Sequence, residues 1–137
     1  MKFILSLLFV SSVILQNNRQ IKKSTITASV INVTSDSGFV AFALYNKSSF
    51  RIQPIQSKRA IIISGVSTVI FDNVAQGEYA VVCYHDKNNN NTMDFEPNGM
   101  PLEDYGASNN VNAMGPPKYH DAKFIVTDKN VTLKIRF

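Results

Sequence analysis

Short β-rich runs, several of them alternating apolar and polar side chains and broken by turn-forming residues, recur from Thr25 to Tyr84 and again from Ala122 to Phe137. The clearest is the last. Val131, Leu133, Ile135 and Phe137 fall on one side, and Thr132, Lys134 and Arg136 on the other. A period of two places successive side chains on opposite faces of a strand, so this segment reads as a strand with one buried face. Thr25 to Val33, Phe39 to Tyr45, Ser67 to Phe71 and Ala122 to Val126 read as strands too, with a short apolar run at Ala60 to Ile63. Tyr79 to Tyr84 is apolar on both faces and predicts a central strand. The turn Ser35-Asp36-Ser37-Gly38 predicts a hairpin of the first two strands, and Lys47 to Arg59 reads as a loop. No stretch keeps a helical period. About seven short strands with frequent turns predict one all-β sandwich over residues 21–137.

Composition agrees with a single packed domain. Of 137 residues, 45% are hydrophobic, which is enough apolar surface to offset chain entropy and excludes disorder. The one cysteine, Cys83, excludes an intramolecular disulfide and an all-cysteine zinc site. Within Val81 to Tyr84 it reads as a small buried hydrophobe. The formal charge of +4 is too mild for a nucleic-acid protein, which needs dense basic patches.

That charge divides unevenly. Residues 17–60 carry seven bases and one acid, whereas residues 61–137 carry six bases and nine acids. Five of those acids lie between Asp86 and Asp104, where a cation would be wanted.

Ahead of the strands, Met1-Lys2 precedes an apolar run from Phe3 to Leu15. A basic start and a short apolar stretch predict a secretory signal peptide over residues 1–20. The run is shorter than the roughly 20 residues of a spanning helix, so no stable membrane span is expected after cleavage. No cysteine follows it to carry a lipid. The expected location is periplasmic, outer-surface or secreted.

Residues 85–121 are almost free of strand pattern yet hold four of the five prolines and three of the six glycines. Structureless stretches of that length are uncommon unless functional. Side-chain oxygens recur at Asp86, Asn88, Asn90 and Asp94, with Thr92 placed to offer its backbone carbonyl. This alternate spacing lets a curling chain turn successive oxygens onto one calcium ion. The sixth position, where a calcium loop needs positive φ, holds Asn91, the best alternative to glycine. Position 12 is Pro97, so Glu96, or Glu103 folding back, would complete the shell. Two carboxylates make a low-charge site, for which calcium affinity of roughly 10⁻⁴ to 10⁻³ M is expected.

His85 precedes the loop and continues the Tyr79, Val81, Cys83 face, where it would cap a strand end by a hydrogen bond. A sharper role joins it with His120 in acid–base chemistry or metal ligation. No Gly-x-Ser-x-Gly elbow, His-Glu-x-x-His helix or phosphate-cradling glycine loop occurs, and Ser108 reads as part of a polar turn.

Several blocks resemble one family. They include Val40 to Asn46, Phe71 to Ala80, His85 to Asn90 with Asp94, Gly99 to Glu103, Tyr105 to Asn109 and Gly115 to Ala122. In this order they are similar to the DUF2141 family of bacterial exported proteins, over residues 25–137. The family's loop usually reads His-Asp-x-Asn-x-Asn-Gly-x-x-Asp, so Asn91 stands where glycine is usual. Glycine is also usual at Asp104, and Phe is common at Ala107. The resemblance implies an immunoglobulin- or prealbumin-like sandwich outside the cytoplasm. It implies no activity.

Two function classes follow. The first is a calcium-stabilised binding or structural module, its ordered loop offering Tyr105, Asn109 and Asn110 to an envelope protein or glycan. The alternative is a metal-dependent hydrolase using His85, Asp86 and Glu103. A pocket joining His85, Glu103 and Asp121 would favour the enzyme. A third reading has Lys58-Arg59 and the Lys22-Lys23 end meeting a membrane surface or polyanion.

Overall fold

The computed structural model describes residues 19–112 and 114–137. The leader expected at 1–20 lies outside them except for its last two residues. Among the described residues, eight strands form two sheets. Strands β1 (Ser24–Val30), β4 (Ser67–Val74) and β8 (Val131–Ile135) make a three-stranded sheet in the order β4-β1-β8. The second sheet runs β3-β2-β5-β6, from β2 (Phe39–Tyr45), β3 (Gln56–Ile61), β5 (Gly77–Asp86) and β6 (Tyr105–Ala107), while β7 (Phe124–Val126) pairs with the start of β5. A short 3-10 turn (Ser108–Asn110) and one helical turn, α1 (Tyr119–Ala122), are the only helical elements described.

The alternation read from the sequence is what closes the core. Ile26, Ala28 and Val30 face inward from β1, as do Val40, Phe42 and Leu44 from β2 and Val69 and Phe71 from β4. Val81 and Cys83 meet them from β5, with Ile135 from β8. Burying each large aliphatic or aromatic side chain here contributes about 1.5–3 kcal/mol. On β8 the predicted inward set holds, since Val131 and Leu133 are half-buried, Ile135 is fully buried, and Thr132 and Lys134 are exposed. β5 is central, with β2 on one edge and β6 and β7 on the other.

The expected β1–β2 hairpin does not form. β1 pairs with β4 and β8, β2 pairs with β3 and β5, and residues 31–38 carry the chain across from one sheet to the other. The crossover is fastened by Asp36, whose carboxylate accepts hydrogen bonds from the backbone N–H groups of Ser64 and Gly65 at 3.0 Å each. Ser64 and Gly65 both have positive φ and form the tip where Ile63 pairs with Val66. That pairing is the true hairpin, and its two strands then part into different sheets. β3 also begins three residues before the predicted loop ends, because its exposed Ser57 and Arg59 alternate with the half-buried Lys58 and Ala60 of an edge strand.

One pairing runs against the rest. β1 and β8 are parallel, Ile26 to Val30 aligned with Val131 to Ile135. Asn32 extends the bond between them, its side-chain amide donating to the Phe137 carbonyl at 3.0 Å and accepting from the Phe137 N–H at 2.9 Å.

Candidate functional site

The oxygen-bearing loop leaves the end of β5. Asp86 is the last residue of that strand and is fully buried. Its two carboxylate oxygens accept from the Asn90 N–H at 3.2 Å and the Asn91 N–H at 2.8 Å, so the chain curls back over the residue that starts the loop. Asn91 has φ 66° and Asn89 φ 57°, which is the left-handed turn expected at the sixth position. Asparagine tolerates this conformation because its short side chain bonds locally.

Asp94 is the second focus. The Asn88 amide donates to it at 2.8 Å, and the Asn90 amide donates to its two oxygens at 2.8 and 2.9 Å. Thr92 donates through both N–H and hydroxyl to the Asn90 side-chain oxygen Oδ1, at 3.1 and 3.2 Å. Five of the six spaced residues, Asp86, Asn88, Asn90, Thr92 and Asp94, thus form one hydrogen-bonded knot. Glu96 stands apart on an exposed turn closed by hydrogen bonds between Glu96 and Met100 and between Gly99 and Glu96. No group of three or more His, Cys, Asp or Glu side chains placed to hold a metal lies among the described residues. The side-chain oxygens gathered here belong to two carboxylates, Asp86 and Asp94, and to the Asn88 and Asn90 amides.

Glu103 does fold back, as a brace. Buried, it accepts from the Lys87 N–H with one oxygen and the Asp94 N–H with the other, both at 3.1 Å. It therefore ties the second and ninth positions of the loop together from outside. Lys87 reaches Asp104 at 3.4 Å, and Arg59 of β3 donates to the Asn91 side chain while its guanidinium lies 4.8 Å over the Phe39 ring. On the outer face, burial raises the Tyr84 pKa, and the Asp86, Glu103 and Asp94 carboxylates push it the same way.

His85 turns away from this knot. It lies fully buried on the inner face, paired across the sheet with Val40, and its Nε2–H donates to the Ser37 carbonyl at 2.7 Å. Its Nδ1 is buried with no hydrogen-bond partner. The strand-capping role is the one seen. His120 is exposed and contacts its neighbour Asp121 at 3.3 Å, so the two histidines do not meet. A cleft of about 420 Å³ includes Asp121, Tyr105, Lys118 and Arg136 in its walls, but neither His85 nor Glu103. Cys83 is buried, and desolvation drives its thiol pKa upward, as expected of a core hydrophobe.

Three side chains beyond the loop do more than their local sequence announces. The buried Ser108 hydroxyl accepts from the Val81 N–H at 3.1 Å and bonds the Ala122 carbonyl. Asn109 donates to the Asp121 and Lys123 carbonyls at 3.0 and 2.8 Å. Asn110 donates to the Lys134 carbonyl and accepts from the Arg136 N–H, both at 2.8 Å. Their amides staple the long segment to β8 and α1, and the Tyr105 hydroxyl is likewise spent on the Gly115 carbonyl at 2.9 Å. The partner surface expected of Tyr105, Asn109 and Asn110 is thus engaged internally. The Asn109-Asn110 pair, a residue type that tolerates positive φ, was the one signal in the sequence, and both residues do adopt it.

No match to this chain was found among curated proteins or among solved structures. Residues 28–134, which reach from β1 into β8, match the family described as "Uncharacterized protein conserved in bacteria (DUF2141)", and the chain belongs to this family.

Proposed function

We propose that this protein is an exported β-sandwich module whose 86–94 loop binds one calcium ion, and that the ion holds the long segment in place for an envelope protein or glycan. The observation that carries the reading is the convergence of the Asn88 and Asn90 amides on the Asp94 carboxylate. Rotating those amides turns their carbonyl oxygens toward the same point. Together with Asp94, Asp86 and the Thr92 carbonyl they make the hard, mostly neutral oxygen set that calcium takes. Glu103 supports the reading by bracing the loop in advance, which lowers the ordering cost of binding. Export is supported by the basic start and apolar run of residues 2–15.

The test is calorimetric titration of the full chain with calcium. Heat fitting one site with a dissociation constant of roughly 10⁻⁴ to 10⁻³ M is expected, abolished in Asp94→Ala. A flat titration of the unaltered chain would sink the reading.

A further inference from the structure

We propose that the end of the sandwich opposite the oxygen-rich loop docks on an anionic lipid surface. The topology gathers three segments there. Residues 19–23 lead into β1 at Ser24, residues 46–55 join the end of β2 to β3, and residues 127–130 join β7 to β8. Ser24 bonds the Thr127 carbonyl at 3.1 Å and the Thr25 N–H bonds Asn130 at 3.0 Å, which sets the first and third side by side. The register Tyr45–Ala80 and Ser24–Val74 brings the second to the same end, through the short turn between β4 and β5.

These segments carry six cations, Arg19 at the end of the leader expected at 1–20 and Lys22, Lys23, Lys47, Arg51 and Lys129 beyond it, against a single acid, Asp128. Glu78 borders the same end beside Lys47 and pairs with Lys123 at 3.8 Å. All six are exposed, and none has an ion-pair partner among the described residues. At the far end, residues 86–104 carry five acids and one base, Lys87, with Arg59 reaching in from β3. The molecule is therefore polarised along its strands. Lys58 and Arg59 do not join the basic end, since Lys58 pairs with Asp72 at 3.5 Å and Arg59 holds Asn91.

Charge complementarity selects an anionic surface, and the apolar side chains select a bilayer over a soluble polyanion. Ile21, Ile52 and Ile55 stand among the cations at 74%, 81% and 46% exposure. Isolated exposed isoleucines are ordinary, but three interleaved with unpaired bases form the pattern that inserts at a headgroup boundary while the charges meet phosphates. In sequence, the basic stretch begins at Arg19, three polar residues after the apolar run of residues 3–15.

The test is co-sedimentation of the full chain, in a chelator so that no calcium intervenes, with phosphatidylcholine vesicles and with vesicles containing phosphatidylglycerol. Binding to the second kind only is expected, weakening steeply with salt. Each cation near the surface is worth about fivefold in affinity, so Lys22→Glu with Lys23→Glu should lower it by more than tenfold. Ile52→Ser should lower it several-fold. All three positions are exposed, so circular dichroism should stay unchanged. Equal binding to both vesicle types, or none to either, would overturn the proposal. So would displacement by polyphosphate in a protein indifferent to Ile52→Ser, which would reassign the basic end to a soluble polyanion.

Discussion

Gly38 lies against the backbone of Asp86 so closely that a Cβ on Gly38 would stand 1.9 Å from the Asp86 carbonyl oxygen. The contact joins the inter-sheet crossover to the start of the oxygen-rich loop, and Gly38 holds it with φ 71°. Both the space and the dihedral exclude a side chain. Gly38→Ala should cost about 3 kcal/mol, read as a lower urea midpoint with an unchanged slope.

Glu103 accepts two backbone N–H groups that have no other partner described. Glu103→Ala would leave both unsatisfied at a largely dry position, for a loss of about 2–4 kcal/mol. Amide exchange at Lys87 and Asp94 should accelerate more than exchange in β1. Uniform acceleration across both would show that Glu103 acts on the whole fold and not on the loop.

Ser108 is the hinge pin of the long segment. Its hydroxyl is buried between Val81 and Ala122, and Ser108→Ala should destabilise by about 1–3 kcal/mol. Ser108→Thr keeps the hydroxyl and should recover part of that loss in the same thermal melt.

Burial keeps the Cys83 thiol protonated, and burial with the nearby Glu78 carboxylate pushes the Tyr119 phenol up to about 12. A pKa raised on folding gives stability that is complete below the unfolded value and declines as pH rises toward the folded one. The decline should therefore start near pH 8.5, where an unfolded thiol ionises, and steepen above about pH 10 with Tyr119. Cys83→Ala should remove the earlier part of the slope. A thiol reagent should leave native Cys83 unlabelled at pH 8 and label it once urea unfolds the chain.

Calcium at a hundredfold excess over its dissociation constant would stabilise the native state by about 2.7 kcal/mol. For a domain of this size, the melting temperature should rise by roughly 10 °C, and Asp94→Ala should show no rise. Magnesium, which demands a tighter octahedral shell, should shift it much less.

What the sequence discloses, and what it hides, divides by range. The alternation of β8 and the two apolar faces of β5 record which side chains leave water, and both were legible. The turn at Ser35 to Gly38 was legible as a turn but not as a crossover. Its partners, Asp86 and the Ser64–Gly65 tip, lie 26 or more positions away. β6 escaped notice because Gly106 interrupts its pattern. There a Cβ would stand 2.6 Å from the Arg136 carbonyl, a requirement set by a strand 30 residues later. The left-handed Asn91 was readable from loop spacing, being local. Glu103 was readable only as a residue that could fold back, since its two hydrogen-bond partners are fixed by the closed loop.

The parallel alignment of β1 with β8 has a consequence in time. The strand that opens the sandwich acquires one of its two neighbours only from Val131 to Ile135, about a hundred residues on. Non-local pairings of this span must offset loop-closure entropy before they stabilise anything, and such folds complete in milliseconds to seconds. The three-stranded sheet therefore cannot be completed before Val131 to Ile135 has been made. Until that strand is free, β1 has only β4 beside it, and one edge of the opening strand waits for the far end of the fold.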